Sequence, residues 1–241
     1  MNWQSIAGGL GAAAIGGLIA VAATGGLHRD SASPDPAATG AIVRSYILAH
    51  PDLIPEAMEK LQQTQTASLI AANRSAIETP FAGAVGGNAK GDVTLVEYFD
   101  YACGYCRQSL KDVDRLAASD PNLRIVYKEL PILSVESGRA AQLSLAAARA
   151  GKFANYHHAL YGDGALDDAR VSAVASGLGI AATAGDAPDI AREIAANLDT
   201  AKALRMSGTP TFVVGDQILS GAVGYDALKD AVDKARAAKK A

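Results

Sequence analysis

The spacing of apolar residues changes several times along the chain, and each change predicts a different element. Residues 93–99 form an apolar run with β-branched and aromatic side chains, which predicts a buried central strand. Apolar residues then recur at helical spacing from Cys106 to Ala117, on one face of a helix. Residues 123–130 alternate well enough for a second strand, so this part of the chain is predicted to form a β-α-β unit.

A helical stretch follows, and strand patterns return only near the carboxyl end. Residues 137–206 have helical spacing throughout, and Gly151 and Gly179 stand where C-terminal helix caps belong. The predicted helices are 139–150, 153–161, 168–178 and 190–204. The last predicted elements are a hairpin and a covering helix, at 211–214, 218–220 and 225–240. The pattern therefore predicts an α/β fold with inserted helices.

The first part of the chain differs in composition from the rest. Residues 6–27 are uncharged and apolar, a stretch of about 22 residues that is long enough to cross a bilayer as a helix. Because Ala20-Val21-Ala22 resembles a cleavage site, we expect either a signal peptide or an uncleaved anchor. Residues 28–40 are rich in Ser, Pro, Asp and Ala, which predicts a flexible tether.

Two helices are predicted between this tether and the first strand, over residues 41–78. In the second helix, apolar residues from Ile54 to Ala72 lie roughly along one side, but the polar segment 62–66 interrupts them. Two alternatives stay open for this region. It joins copies of the chain into an oligomer, or it folds back on the catalytic part.

Composition and charge exclude one class of function. The chain is 49% hydrophobic and 20% charged, as in an ordinary globular protein with one core and a smaller attached piece. The formal net charge is -3, and no stripe of basic residues interleaved with aromatic residues occurs. We therefore do not expect nucleic-acid binding.

The chain has only two cysteines, and they form the motif Cys103-Gly104-Tyr105-Cys106. This spacing indicates a redox-active pair or half of a metal site. Because the pair opens the predicted helix, free backbone N–H groups and the helix dipole stabilise a thiolate at Cys103. Cys106 lies one turn later, within disulfide reach and on the inward face. We expect Cys103 to attack and Cys106 to resolve the mixed disulfide.

Glu97 is the candidate acid–base residue. It lies in the apolar strand run, six residues before Cys103. A buried carboxyl group near the resolving sulfur would accept or return the proton of that sulfur. The alternative is a glutamate on an exposed face of the strand.

The residues around the cysteine pair resemble a known family. Segment 91–106 reads G-D-V-T-L-V-E-Y-F-D-Y-x-C-G-Y-C and looks like the strand and active-site motif of the DsbA-like branch of the thioredoxin superfamily. Segments 127–133 and 207–213 also match, so the resemblance covers about residues 87–234. Residues 42–65 resemble the amino-terminal helices of ScsC-like and Com1-like members.

The resemblance implies a thioredoxin-like fold with an inserted helical subdomain and a thiol-disulfide oxidoreductase that forms or isomerises disulfides in exported proteins. It implies that Pro210 is cis and faces the cysteines, and that Thr209 offers backbone hydrogen bonds to an extended substrate. Gly104 and Tyr105 are expected to contact the substrate as well. This dipeptide departs from the Pro-His of strong oxidases and, together with Thr209, is closer to isomerase-type relatives.

Partners, cofactor and location follow from this resemblance together with the apolar segment at residues 6–27. The expected partners are substrate proteins with thiols or disulfides, a membrane redox partner that recycles the pair, and the membrane itself through the amino-terminal segment. The only redox group expected is the Cys103-Cys106 disulfide, with no other cofactor and no metal. The expected location is the periplasm, with the chain either secreted after signal cleavage or anchored to the inner membrane.

The sequence thus predicts a signal peptide or anchor, a tether, a helical region, and a thioredoxin-like domain interrupted by a helical subdomain. These parts are 1–27, 28–40, 41–78, 79–136 with 207–241, and 137–206. The main alternative function is a copper or zinc site, in which the cysteine thiolates are joined by His157 and His158. Against it, adjacent histidines project about 100° apart on a helix. The direction of exchange stays open.

Overall fold

The computed structural model describes residues 35–162 and 164–240. The predicted signal or anchor segment, 1–27, lies outside the described residues, as does the first part of the predicted tether. Within those two ranges, no helix has both the length and the apolar character needed to cross a membrane. The described residues up to Pro51 and those from Asp52 onward form separate compact units.

Helix α1 (Pro36–Ala49) begins earlier than the sequence pattern predicts. Asp35 caps the helix by accepting a hydrogen bond from the Ala37 N–H at 3.0 Å. Pro36 occupies the first turn, where the missing N–H of proline has no helical partner to lose. The predicted tether is therefore wrong for residues 36–40, which are helical. The large apolar side chains that α1 exposes are Ile42, Val43, Tyr46 and Leu48.

Helix α2 (Leu53–Glu78) has two different halves. In its C-terminal half, Ile70 and Ile77 are fully buried against the sheet. In its N-terminal half, Ile54, Met58 and Leu61 are exposed. The second half of the helix therefore folds back on the domain, while self-association through the first half stays a prediction.

The second unit contains a five-stranded sheet in the order β1-β3-β2-β4-β5. The strands are β1 Val85–Gly87, β2 Val93–Phe99, β3 Leu123–Glu129, β4 Thr211–Val214 and β5 Gln217–Ser220. Strands β2 and β3 are parallel and are joined by helix α3 (Gly104–Ser119), whereas the other neighbours are antiparallel. The carboxyl ends of β2 and β3 therefore meet at one edge, where Phe99 pairs with Glu129.

Further helices lie between β3 and β4, and one follows the sheet. They are α4 Val135–Arg149, α5 Phe153–Tyr161, α6 Asp168–Gly177, a 3₁₀ helix Ala182–Asp186, α7 Pro188–Ala203 and, after β5, α8 Tyr225–Ala238. The predicted α/β class with inserted helices is confirmed. The 3₁₀ helix and β1 are the elements that the apolar pattern did not predict.

Alternate side chains of β2 point to opposite faces of the sheet. Val93, Leu95 and Phe99 enter the larger core, which includes residues of α3, α4, α5, α6 and α8. Val96 and Tyr98 enter a smaller core together with residues of α2 and α7. Glu97 follows the alternation of the first set, so a carboxyl group enters the larger core.

Candidate active site

Cys103 caps the N-terminus of α3, directly after the end of β2. Its sulfur accepts a hydrogen bond from the Cys106 N–H at 3.3 Å. The backbone at Cys103 is extended, which turns the chain from the strand into the helix. The sulfur therefore lies where unpaired helix N–H groups and the positive end of the helix dipole favour an anion.

The environment of Cys103 favours its thiolate. The Cys106 thiol donates to the Cys103 sulfur and lowers the pKa of Cys103 to about 6, against the opposing effect of burial. The backbone N–H groups of Cys106 and Tyr105 lower this pKa further. When protonated, the Cys103 thiol donates instead to the Thr209 carbonyl oxygen at 3.2 Å. The Thr209 backbone thus lies against the reactive sulfur.

Cys106 has the opposite character. It is 1% exposed, and burial raises the pKa of its thiol, as does its hydrogen bond to Cys103. The two cysteines are not bonded to each other in this structure. The Cys103 sulfur is therefore favoured as an anion near neutral pH and its residue is 6% exposed, while Cys106 is more deeply buried and stays protonated.

Glu97 lies behind the pair on β2 and is 2% exposed. Its neighbours in the paired strands are Tyr127 of β3 and Phe212 of β4. Burial raises the pKa of Glu97 to about 8, and the negative charges of Asp114 and Cys103 add to the effect. The exposed-face alternative for this glutamate is therefore wrong. A carboxyl group with this pKa exchanges its proton close to neutral pH.

The segment that enters β4 lies against the cysteine turn. The Thr209–Pro210 peptide bond is cis, and the Thr209 carbonyl oxygen faces the Cys103 sulfur. In the first turn of α3, Gly104 borders open space and Tyr105 is 66% exposed. The structure thus brings all the predicted substrate-contacting residues to the edge of the sheet that carries Cys103.

The two histidines are not part of this arrangement. His157 is 2% exposed, its Nδ1 lies 3.2 Å from the Tyr101 hydroxyl, and burial lowers its pKa to about 3. The His158 Nε2 lies 2.9 Å from an Asp114 carboxylate oxygen on α3. Across residues 35–162 and 164–240, no group of three or more His, Cys, Asp or Glu side chains is arranged to hold a metal ion.

Two buried acids near the site were not singled out from the sequence. The Asp100 carboxylate, at the end of β2, accepts hydrogen bonds from the turn before Cys103 and from the segment after β3. Glu129 is 1% exposed, and burial raises its pKa well above the ordinary value. The only local signal for either is an acidic residue next to an apolar strand run.

Two known families match different segments of the chain. Residues 94–233 match the family described as DSBA-like thioredoxin domain. Residues 36–67 match the family described as Copper resistance protein ScsC N-terminal domain. Both matches agree with the resemblance identified from the sequence motifs.

Solved structures with the same fold include a thioredoxin-like oxidoreductase from Silicibacter pomeroyi DSS-3. It is 41% identical with a TM-score of 0.65, over 68% of this chain and 98% of that chain. The catalytic domain of Proteus mirabilis ScsC is 25% identical with a TM-score of 0.64, over 71% and 98%. A periplasmic thioredoxin-like protein from Salmonella enterica serovar Typhimurium is 25% identical with a TM-score of 0.61, over 68% and 95%.

A curated relative, the Na(+)/H(+) antiporter NhaA 1 of Salinispora arenicola, is a much longer protein. It is 33% identical over 159 residues, which are 63% of this chain and 24% of the antiporter. The chain thus spans about a quarter of the length of the curated relatives that it matches. Family and solved structures together support the predicted class of thiol-disulfide oxidoreductase, and the chain belongs to the DSBA-like thioredoxin domain family, with a thioredoxin-like fold.

Proposed function

We propose that this chain is a thiol-disulfide oxidoreductase that forms or isomerises disulfides in exported proteins through a mixed disulfide at Cys103. The observation that carries the proposal is the asymmetry of the two sulfurs. Cys103 has a pKa of about 6 at the start of α3, while Cys106 is 1% exposed behind it. A nucleophile and a protected resolving thiol are what disulfide exchange requires.

In disulfide formation, a substrate thiolate attacks the Cys103 sulfur of the Cys103-Cys106 disulfide. The bond between the two cysteines breaks, a mixed disulfide forms at Cys103, and Cys106 leaves as a thiolate. A second substrate thiolate then attacks the substrate sulfur of the mixed disulfide, and Cys103 leaves as a thiolate. The substrate loses two electrons to the cysteine pair, which a membrane redox partner must reoxidise.

In isomerisation, the reduced pair acts without net electron transfer. The Cys103 thiolate attacks a substrate disulfide and forms the mixed disulfide, and one substrate cysteine leaves as a thiolate. Another thiolate of the same substrate then displaces Cys103 and forms a different disulfide. The low pKa of Cys103 serves both directions, because Cys103 is the attacking group in one and the leaving group in the other.

We propose that Glu97 donates a proton to Cys106 when Cys106 leaves the disulfide and accepts it when Cys106 attacks. Because Cys106 is buried, its thiolate needs a proton donor inside the protein when it leaves the disulfide. Glu97 is protonated near neutral pH. Burial raises the pKa of the Cys106 thiol, and the negative charge of Glu97, once ionised, raises it further. When Cys106 must attack, the Glu97 carboxylate takes the proton back.

Substrate binding is assigned to the surface around Cys103. Thr209 lies directly before Pro210, and its carbonyl oxygen lies 3.2 Å from the Cys103 sulfur. This position supports the proposal that its backbone pairs with an extended peptide. Gly104 borders open space next to Cys103 in the chain, and Tyr105 offers an exposed ring. The similarity to the ScsC family and to a periplasmic thioredoxin-like protein supports a periplasmic location.

Serine substitution of each cysteine tests the proposal. With Cys106→Ser, the Cys103 thiolate attacks a disulfide-linked peptide, one half of the peptide leaves as a thiolate, and the mixed disulfide that forms cannot be resolved internally. We therefore expect covalent complexes with the disulfide-linked peptide on a non-reducing gel. Cys103→Ser is the matched control and should trap nothing, because Cys106 is buried. Equal trapping by both variants, or by neither, would contradict the proposed mechanism.

A further inference from the structure

One buried carboxylate joins the cysteine turn to the segment after β3. Asp100 is 1% exposed. Its Oδ1 accepts hydrogen bonds from the Ala102 N–H at 2.7 Å and from the Ser137 hydroxyl at 2.5 Å. Its Oδ2 accepts from the Ile132 N–H at 2.8 Å and the Leu133 N–H at 2.9 Å. A single side chain thus satisfies donors from the cysteine turn, from the loop before α4 and from α4 itself.

The backbone of Asp100 also makes hydrogen bonds to the site. Its carbonyl oxygen accepts from the Cys103 N–H at 3.0 Å and from the Tyr161 hydroxyl at 3.0 Å. Its backbone also hydrogen-bonds the Cys106 sulfur, which moderates the effect of burial on that pKa. Asp100 therefore contacts the backbone of one cysteine and the sulfur of the other.

The segment that the carboxylate holds, residues 130–135, exposes apolar side chains. Ile132 is 46% exposed, Leu133 52% and Val135 88%. Because the same carboxylate accepts from Ala102 and from Leu133, these two backbones lie close together, and Ala102 directly precedes Cys103. Exposed apolar side chains on a backbone fixed by charge-assisted hydrogen bonds form a surface that is ordered before anything binds to it.

We propose that Asp100 is a positioning residue for disulfide exchange, which holds Ile132 and Leu133 beside Cys103 so that apolar residues next to a substrate cysteine pack against them. This inference rests on the proposed function. The substrate polypeptide is the expected occupant of this surface because the surface adjoins the reactive sulfur. A substrate cysteine must reach Cys103, so the residues beside it necessarily lie over the surface around the cysteine turn. A small disulfide, by contrast, reacts at the sulfur without covering that surface.

The test compares a small disulfide, 2,2′-dithiodipyridine, with a mixed-disulfide peptide that carries leucines beside its cysteine. Asp100→Asn keeps the size of the side chain, but the amide nitrogen cannot accept from backbone N–H groups. The cysteine pair starts reduced, and glutathione is supplied to reduce it again after each turnover with the peptide. We expect the ratio of kcat/KM for the peptide to the rate with dithiodipyridine to fall about tenfold, mainly through KM. A serine-flanked peptide should show no such change.

A second variant acts at the surface and leaves Asp100 in place. Leu133→Ser removes an exposed apolar side chain, and we expect the same fall in the rate ratio for the leucine peptide. Combining it with Asp100→Asn should add little, since both act on one contact. The matched control is Leu198→Ser on α7, which also replaces an exposed leucine and should leave the ratio unchanged.

Two results would overturn the inference. One is an equal loss with both disulfides in Asp100→Asn together with a lower melting temperature, which is what a purely structural role predicts. The other is an unchanged ratio in Leu133→Ser. If the wild-type protein fails to react even with dithiodipyridine, the proposed function itself falls, and that outcome is separate from a loss of peptide preference.

Discussion

At the scale of single residues, the site depends on two acids whose pKa values move in opposite directions. Cys103 gains donors and is favoured as an anion, whereas Glu97 loses water and is favoured as a neutral acid. Near pH 7, Cys103 is therefore a thiolate and Glu97 is a neutral carboxylic acid. This combination suits an exchange in which one sulfur leaves as an anion and the other requires a proton.

Alkylation of reduced protein by iodoacetamide should report the Cys103 thiolate directly. We expect the rate at Cys103 to rise through a midpoint near pH 6, with Cys106 unlabelled, as measured by mass spectrometry. Cys106→Ala removes the first donor to the Cys103 sulfur and should move the midpoint upward. Cys106→Ser keeps a donor and should move it less. A wild-type midpoint at the value of free cysteine, about 8.5, would contradict the assignment of the nucleophile.

Stability of the reduced form should depend on pH for the same reason. The pKa of Cys103 is lower in the folded state than in the unfolded state. The thiolate therefore stabilises the folded protein fully at pH values above the unfolded-state pKa, and this stabilisation is lost as the pH falls through about 6. We expect the melting temperature of reduced wild-type protein, relative to Cys103→Ser, to rise between pH 6 and pH 9. A difference that does not vary with pH would show that the folded protein does not favour this thiolate.

Glu97→Gln should slow catalysis and yet stabilise the fold. Loss of the proton donor should slow formation of the mixed disulfide with Cys106 as leaving group, on the order of 100-fold at neutral pH. Since the pKa of Glu97 is raised to about 8 in the folded state, wild-type stability falls as pH rises from about 4 toward 8, and glutamine removes this loss. Stopped-flow exchange and chemical unfolding measure the two effects. The matched control is Glu59→Gln on α2, which replaces an exposed glutamate and should show neither effect.

At the scale of elements, apolar spacing predicted what is local and missed what depends on distant partners. Strand β2 and helix α5 were predicted at their observed bounds, because each is defined by side chains within its own segment. Strand β1 is short and two of its residues are glycine, so it is defined only by pairing with β3. The role of Asp100 was equally hidden, because three of its four donors lie more than 30 residues away.

At the C-terminus of α7, Arg205 has a left-handed backbone conformation that glycine adopts with less strain. Arg205 has a φ of 56°, and the hydrogen bonds from Met206 to Ala201 and from Arg205 to Lys202 form the helix-ending motif that usually has glycine at this position. Arg205→Gly should therefore stabilise the protein by about 1 kcal/mol in chemical unfolding. Lys202→Gly, inside the helix, is the control and should destabilise by about 1 kcal/mol. Destabilisation by both substitutions would show that the arginine side chain has a role of its own.

At the scale of the whole molecule, the prediction that matters most for the direction of exchange is self-association. The N-terminal half of α2 exposes Ile54, Met58 and Leu61, within a region that partly matches the ScsC N-terminal domain. We expect the full chain to form an oligomer in sedimentation experiments, and Met58→Ser with Leu61→Ser to weaken it. Loss of disulfide shuffling in that variant, with unchanged insulin reduction, would link assembly to isomerisation. A monomeric wild-type chain would contradict the prediction.

The order of the strands has a consequence for how the protein is made. Strand β4 lies next to β2 in the sheet, yet it follows every inserted helix, and Thr209 meets Cys103 across 106 positions of sequence. Such distant contacts form late in folding. A nascent or prematurely terminated chain that lacks the last hairpin therefore carries both cysteines without the partner that tunes them. Completing the active site therefore becomes one of the final events of biogenesis, and a truncated copy lacks the Thr209 contact at its reactive sulfur.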